Sequence, residues 1–153
     1  MYLETSIISY VVARPSRDLV TAARQELTRE WWARRRALFE VFVSEAVIAE
    51  ARGGDAAAAA RRLAVLADIT LLEVTPAVTR LARLIAKAIG LPKQATADAV
   101  HIATAACHGI EFLLTWNSTH IANAELRPML EKVTRKSGYA PPILCTPDEL
   151  MGG

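Results

Sequence analysis

Short apolar and β-branched runs alternate with longer stretches of helical periodicity along this chain. Runs of this length and composition are typical of strands. They cover residues 1–3, 40–43, 70–74, 112–115 and 143–145. Because helical stretches separate them, consecutive strands are expected to lie parallel and to be connected through helices. The pattern therefore predicts an α/β protein in which βαβ units surround a parallel sheet, without internal repeats or a domain boundary.

The helical stretches between these runs carry their own start and stop signals. We expect helices over residues 7–12, 17–38, 45–54 and 55–67. At Thr75-Pro76 and at Thr146-Pro147 a capping threonine precedes a proline at the first helical position. Glu149 completes a capping box with Thr146. These local signals agree with the alternation of strands and helices.

The size and composition fit one domain over residues 1–153. A chain of 153 residues buries roughly two thirds of its unfolded surface. Hydrophobic residues make up 52% of the chain, but no apolar run approaches the ~20 residues of a membrane span. The opening MYLETSIISY lacks the pattern of a signal peptide, so we expect a cytoplasmic protein with no membrane partner. Cys107 and Cys145 have neither disulfide nor zinc spacing, and a net charge of +2 is compatible with nucleic acid without requiring it.

Glu4 is the first acidic residue in a position where parallel sheets bind ligands. Such sites form outside the carboxyl ends of the strands, and Glu4 follows the first predicted strand directly. The next residues, Thr5 and Ser6, have hydroxyls that can cap a helix or contact a phosphate. A carboxylate at this point is also favoured by the dipole of the next helix. The position of Glu4 alone leaves both interpretations open.

Two glutamates, Glu45 and Glu50, follow the second predicted strand. Ser44 is a predicted N-cap, which places Glu45 in the first turn, where the helix dipole alone explains an acidic residue. Five residues of helix separate the two side chains by about 140°. We therefore expect them not to serve one site together, and Glu50 is the candidate for chemistry.

Asp98 lies on a helical stretch, ATADAVHIATAACHG, that is apolar nearly all the way round. Such a helix must be buried on most sides. A buried carboxylate needs a partner or a cation, because desolvation otherwise neutralises it. Capping of the helix start is the rival role. The apolar surroundings favour a functional role for Asp98.

The segment LLTWNSTHIAN, residues 113–123, places polar side chains after the fourth predicted strand. Asn117 has two interpretations, because asparagine and serine are also ordinary turn residues. His120 and His101 are interpreted as hydrogen-bonded structural histidines rather than ligands or bases. The sequence contains no spacing of His, Asp and Glu that is typical of zinc sites.

Three carboxylates from distant parts of the chain, Glu4, Glu50 and Asp98, can therefore converge at one end of the sheet. Crowded carboxylates repel one another unless a cation neutralises them. A few hard oxygen ligands supplemented by water suit Mg²⁺ or Mn²⁺. Such an ion can activate water and stabilise charge on a phosphoryl oxygen, so the predicted reaction is phosphodiester hydrolysis.

Four segments together resemble the PIN-domain ribonucleases, and in particular the VapC-type toxins of toxin–antitoxin systems. These segments are YLETSIISY, VSEAVIAEARGGD, ADAVHIATA and LLTWNSTHIAN, and the similarity extends over essentially the whole chain. The resemblance implies a three-layer α/β/α fold with a central, mostly parallel sheet of four to five strands. It also implies a Mg²⁺-dependent endoribonuclease that cuts RNA, is restrained by an antitoxin and forms a homodimer.

Matching the family pattern residue by residue implies the site residues. Glu4 matches the acidic residue that closes the first strand, Glu50 the glutamate after the second strand, and Asp98 the aspartate that opens a later buried helix. Asn117 stands at a fourth position that is polar or acidic in the family. The resemblance thus implies that Glu4, Glu50 and Asp98 are metal ligands and that Asn117 assists catalysis.

Two departures from the family pattern predict reduced activity. The family usually has aspartate in a DTS-like string where this chain has ETS, and glutamate moves the carboxylate by roughly an ångström or more. Asn117 removes one charge from the cluster, so we expect one well-held metal rather than two. The alternative hypothesis is a PIN-fold module that binds RNA or protein with weakened or lost nuclease activity. A receiver-like domain would need a phosphoacceptor aspartate and a late lysine that the sequence does not supply.

Several residues are candidates for binding the substrate. Thr5 and Ser6 are closest in sequence to Glu4, Arg52 follows the Glu50 helix, and Lys93 precedes the Asp98 helix. The Arg34-Arg35-Arg36 run could bind RNA backbone or an acidic antitoxin segment, or form a solvated helix face. Of Trp31 and Trp32, one is expected in the core and the other at a partner surface.

Overall fold

The computed structural model describes residues 1–151 and contains one five-stranded sheet in which every pairing is parallel. Its strand order is β3-β2-β1-β4-β5. The strands are β1 Tyr2–Leu3, β2 Phe42–Ser44, β3 Thr70–Leu72, β4 Phe112–Leu114 and β5 Ile143–Cys145. The parallel α/β sheet predicted from the sequence is confirmed. The second strand lies later than predicted, because the ladder with β3 extends through Ser44, which pairs with Leu72.

Seven α-helices within residues 1–151 flank the sheet. They are α1 Thr5–Val12, α2 Leu19–Arg34, α3 Glu45–Ala51, α4 Ala56–Leu66, α5 Pro76–Ala88, α6 Thr96–Cys107 and α7 Arg127–Lys136. The predicted helix over 17–38 ends early, since its last residues form a separate 3₁₀ turn, Arg36–Leu38. α1 starts two residues earlier than predicted, because the carboxylate of Glu4 caps it by accepting a hydrogen bond from the Ser6 amide.

The strand order places a crevice between β1 and β4. The chain adds β2 and β3 on one side of β1, and β4 and β5 on the other. In open parallel sheets, ligands bind where the order reverses in this way. Backbone hydrogen bonds continue the ladder past the strand ends here, with the Glu4 amide donating to the Leu114 carbonyl at 3.0 Å. Glu4 and Thr115 are thereby held side by side at the carboxyl edge.

α6 is the most deeply buried helix facing this edge. Seven of its residues are buried: Ala99, His101, Ile102, Ala103, Thr104, Ala105 and Ala106. This confirms the burial that its sequence predicts. Trp31 is in the core, stacked on Phe39, whereas Trp32 is only partly buried. None of the helices within residues 1–151 combines the length and apolar character needed to cross a membrane.

Candidate metal centre

Glu4 is held at the switch between β1 and β4 by three donors. Its carboxylate accepts hydrogen bonds from the Ser6 amide at 3.1 Å, from the Ser6 hydroxyl, and from the Thr115 hydroxyl at 2.7 Å. The residue is only 7% exposed. The dipole and cap interpretation is therefore correct for Glu4, and the same contacts orient its carboxylate at the edge of the sheet.

Glu50 reaches the same place from the last turn of α3. Its Oε2 atom accepts a hydrogen bond from the Thr5 hydroxyl and lies 3.2 Å from Nε2 of His101. Burial alone would raise the pKa of Glu50, but the hydrogen bonds and the charge of His101 lower it below the ordinary value of 4.5. The side chain is 35% exposed, so one flank faces solvent. Glu50 is thus an ionised carboxylate at neutral pH that a substrate can approach.

Glu45 points elsewhere, as the helical spacing predicts. Its carboxylate lies 3.4 Å from the Val74 amide, two residues past the end of β3, and the residue is exposed. Ser44 occupies the N-cap position but makes no side-chain capping bond, because its hydroxyl contacts the Tyr2 phenol instead. The expected separation of Glu45 from Glu50 is confirmed.

His101 is fully buried beneath the two glutamates. Its Nδ1 atom lies 2.7 Å from the hydroxyl of Tyr2, which lies 2.7 Å from the hydroxyl of Ser44. Burial alone would lower the pKa of His101, but its hydrogen bond to Glu50 and the charges of nearby carboxylates raise it above 6.5. Burial raises the pKa of Tyr2, which therefore stays protonated. The predicted hydrogen-bonded role of His101 is confirmed, and its closeness to Glu50 was not foreseen.

Glu4, Glu50 and His101 together form a three-donor group. One oxygen of each carboxylate and one nitrogen of the imidazole all lie within 4.8 Å of one another. Ligands on opposite sides of one Mg²⁺ ion are about 4.2 Å apart, given bond lengths of about 2.1 Å. The separation of the three donors is thus close to that of ligands sharing one ion. The two carboxylates are suitable ligands for Mg²⁺ or Mn²⁺, and the imidazole is a ligand that transition-metal ions such as Mn²⁺ accept.

Asp98 lies outside this group, in the first turn of α6. Its Oδ2 atom is 2.7 Å from Nδ1 of His120, and its side chain is 16% exposed. The N-cap position of α6 is Ala95, so Asp98 contacts an imidazole instead of capping the helix. The sequence predicted that this half-buried carboxylate needs a partner or a cation, and it favoured a cation. The structure shows a partner, His120, which the loop after β4 brings to Asp98.

Asn117 is folded into the turn that follows β4. Its side-chain oxygen accepts a hydrogen bond from the His120 amide at 3.1 Å, and its own amide donates to the Thr115 hydroxyl at 2.9 Å. This is the turn geometry that was the alternative interpretation of Asn117. The turn also carries His120 to Asp98, so Asn117 supports the edge of the site through the backbone.

The predicted substrate contacts divide into two pairs. Thr5 and Ser6 lie at the centre, where their hydroxyls donate to Glu50 and Glu4 respectively. Arg52 is the exposed C-cap of α3, and Lys93 is exposed in the 3₁₀ turn before α6. Within residues 1–151, neither cation forms a salt bridge with a carboxylate. The structure thus brings the two hydroxyls to the site and leaves the two cations on the surface.

Arg24 is a cation near the site that the sequence did not single out. Its guanidinium lies 5.3 Å from the ring centroid of Trp116. The Trp116 amide donates to the Ser6 hydroxyl at 2.9 Å, which links this ring to the Glu4 environment. Of the arginine run, Arg34 pairs with Glu30 and Arg36 stacks over Trp32.

The PIN domain family matches residues 1–126 of this chain. This span includes β1 to β4 and the residues Glu4, Glu50, Asp98, His101 and His120, whereas α7 and β5 lie beyond it. No curated protein matches the chain.

Proposed function

The chain belongs to the PIN domain family, and from this membership we propose that it is an endoribonuclease that requires Mg²⁺ or Mn²⁺ to hydrolyse RNA phosphodiester bonds. PIN domains have a nuclease fold. The observation that carries the proposal is the convergence of Glu4 and Glu50 within 4.8 Å at the switch point of the sheet. Two carboxylates so close together are stabilised when a cation lies between them.

Glu4 and Glu50 would hold the ion, and neighbouring hydroxyls set their orientation. When bound, the ion supplies a Lewis acid at the scissile phosphate. Ser6 and Thr115 orient the carboxylate of Glu4, while Thr5 orients that of Glu50. Glu50 has the solvent-facing flank and a lowered pKa, so it presents an ionised oxygen to an entering water.

Asp98 and Asn117 remain proposed members of the site. The family pattern makes Asp98 a further ligand, and direct coordination would require its contact with His120 to break or to be shared. Asn117 would act through the turn that positions His120. Thr5, Ser6, Arg52 and Lys93 are the proposed contacts to RNA.

We also propose that the protein is the VapC-type toxin of a toxin–antitoxin pair and acts in the cytoplasm as a homodimer. The resemblance of the ETS, ADAVHIATA and TWN segments supports this role. Residues 1–153 would form a single PIN domain, since β5 lies beyond the matched region but pairs with β4. Expression with and without a short neighbouring open reading frame tests the pairing. The neighbouring product should relieve growth arrest and inhibit RNA cleavage by the purified protein.

The decisive experiment for nuclease activity compares Glu50→Gln with Glu45→Gln. Both glutamates are on α3, but only Glu50 belongs to the three-donor group. With structured RNAs and Mn²⁺ or Mg²⁺, Glu50→Gln should reduce cleavage by at least about 100-fold, because loss of a partner that only supports a ligand already costs about 10-fold to 100-fold. Glu45→Gln should cleave at the wild-type rate. Cleavage that survives EDTA, or equal activity of both variants, would refute the proposal.

A PIN-fold module with weakened nuclease activity is the second candidate function. The observation that favours it is that the carboxylates already have internal partners: Glu4 accepts from Ser6 and Thr115, and Asp98 contacts His120. Carboxylates satisfied in this way need a cation less. RNA binding without cleavage at any Mn²⁺ concentration would support this candidate over the nuclease.

A further inference from the structure

We propose that His101 is the third protein ligand of this centre, which makes it a mixed carboxylate–imidazole site that prefers Mn²⁺ to Mg²⁺. The inference rests on the metal dependence proposed above and concerns which groups hold the ion. It differs from the all-carboxylate set, Glu4, Glu50 and Asp98, that the family resemblance implies. The reasons are the position of the imidazole, its orientation and its chemistry.

The position of the imidazole is the first reason. Nε2 of His101 lies 3.2 Å from Oε2 of Glu50, and it shares the 4.8 Å group with Glu4. Asp98 is one helical turn away on α6, but its carboxylate turns to His120 at 2.7 Å. Of the two candidate ligands on this helix, the imidazole therefore already faces the two glutamates.

The orientation of the imidazole is the second reason. A histidine that binds a metal through one nitrogen usually donates its other N–H to a fixed partner, which sets the tautomer. Nδ1 of His101 has such a partner in the Tyr2 hydroxyl at 2.7 Å, and Tyr2 can in turn donate to Ser44 at 2.7 Å. With Nδ1–H donating in this chain, metal binding would displace the Nε2 proton that Glu50 otherwise accepts, and the Nε2 lone pair would then face the carboxylates.

The chemistry of the donor set gives the ion preference. Mg²⁺ favours oxygen ligands and gives up its water reluctantly, whereas transition-metal ions accept imidazole nitrogen. His101 is completely buried, so water cannot easily take the place of its nitrogen at the floor of the site. A site with this floor should bind Mn²⁺ more tightly than an all-oxygen site would.

Electron spin echo spectroscopy of the Mn²⁺-loaded full chain tests the ligand directly. The chain has three histidines, so labelling all of them with ¹⁵N and comparing with ¹⁴N protein reveals any histidine nitrogen bound to Mn²⁺. His108→Gln and His120→Gln are the matched controls, because His108 contacts the Glu73 carbonyl and His120 contacts Asp98. We expect a directly bound histidine nitrogen in the wild type and in both control variants. The wild-type measurement stands even if a variant at the buried His101 does not fold.

Calorimetric titration of the same proteins tests the preference. The wild type should bind Mn²⁺ at least about tenfold more tightly than Mg²⁺, and a folded His101→Gln variant should lose most of that difference. Mn²⁺ binding without a histidine nitrogen signal, or a signal that disappears in His120→Gln, would overturn the inference and leave the proposed nuclease intact. Failure to bind either ion would overturn the proposed function itself.

Discussion

The Thr115 hydroxyl donates to Oε2 of Glu4 at 2.7 Å, across 111 positions of sequence. Both groups are buried, and the hydrogen bond links the ends of β1 and β4 at the carboxyl edge of the sheet. Thr115→Val keeps the shape of the side chain and removes the donor. A hydrogen bond to a charged group contributes about 1.5–3 kcal/mol, so we expect the free energy of unfolding in urea to fall by that amount.

Thr104→Val is the matched control for this prediction. Thr104 is equally buried, but its hydroxyl donates to the Val100 carbonyl within α6 and contacts no carboxylate. Its loss should cost about 1 kcal/mol or less. Equal costs for the two variants would mean that Glu4 does not depend on Thr115.

Tyr2→Phe should weaken metal binding without touching a ligand. The phenol contacts Nδ1 of His101 and the hydroxyl of Ser44, and phenylalanine preserves the packing. Loss of such a supporting partner typically lowers metal affinity by about 10-fold to 100-fold, and we expect a decrease in that range for Mn²⁺ by calorimetry. Tyr10→Phe, on α1, should bind Mn²⁺ as the wild type does. An unchanged affinity in Tyr2→Phe would argue against coordination by His101.

Asp98→Asn distinguishes a ligand from a partner of His120. If His101 is the third ligand, the variant should lose less than about tenfold in Mn²⁺ affinity, whereas Glu50→Gln should lose more than that. Cleavage by Asp98→Asn should nevertheless decrease, because His120 is no longer held by a carboxylate. The double variant Asp98→Asn/His120→Gln should then cleave RNA at nearly the same rate as Asp98→Asn alone. A larger loss of affinity in Asp98→Asn than in Glu50→Gln would establish Asp98 as the stronger ligand.

Glu4→Asp introduces the residue that is usual in the family. The shorter side chain withdraws the carboxylate by about 1.5 Å, the length of one carbon–carbon bond, from the Thr115 hydroxyl it now contacts. We therefore expect the variant to be less stable in urea and no more active than the wild type on structured RNA. An increase in cleavage would show instead that glutamate at this position limits activity.

The contribution of Glu50 to stability should depend on pH. The lowered pKa of Glu50 stabilises the fold above pH 4.5, the ordinary pKa of a glutamate. This contribution is lost as the pH falls through the pKa of Glu50 in the folded state. The raised pKa of His101 stabilises the fold below 6.5 and its contribution is lost as the pH rises through the folded-state value. Both contributions are complete only between pH 4.5 and pH 6.5, the ordinary pKa values of the two groups.

Urea unfolding of the wild type and Glu50→Gln in EDTA measures this dependence. The difference in unfolding free energy should be larger at about pH 5.5 than at about pH 8.5. Urea is preferable to guanidinium because added salt screens the charges. Glu45→Gln, which lacks a contact with His101, should differ from the wild type by an amount that changes little over the same range. A difference for Glu50→Gln that grows towards alkaline pH would contradict the assigned shifts.

Much of the fold follows from local patterns in the sequence. Alternating strand and helix signals predict the parallel sheet, and the apolar circumference of α6 predicts its burial. Helical spacing also separates Glu45 from Glu50 correctly. These features depend on periodicity and capping, which neighbouring residues determine.

The pairings inside the site depend on contacts between distant residues. Which histidine meets Glu50 and which meets Asp98 is set by the rotation of α6 and by the turn after β4. One signal was available: Tyr2 and Glu4 are two positions apart in extended backbone, so both face the side that α6 covers. The end of α2 at Arg34 was missed because the helical pattern continues into the following 3₁₀ turn.

The central place of β1 in the sheet has a consequence for synthesis of the protein. β1 leaves the ribosome before its partner β4, and the Thr115 hydroxyl follows Glu4 by 111 residues. At ~5–20 residues per second, this delay is roughly 5 to 20 seconds. A nascent chain therefore carries Glu4 for that time, and Glu50 for the later part of it, without the strand that completes their surroundings. Translation products truncated before β4 contain both carboxylates but lack the assembled centre.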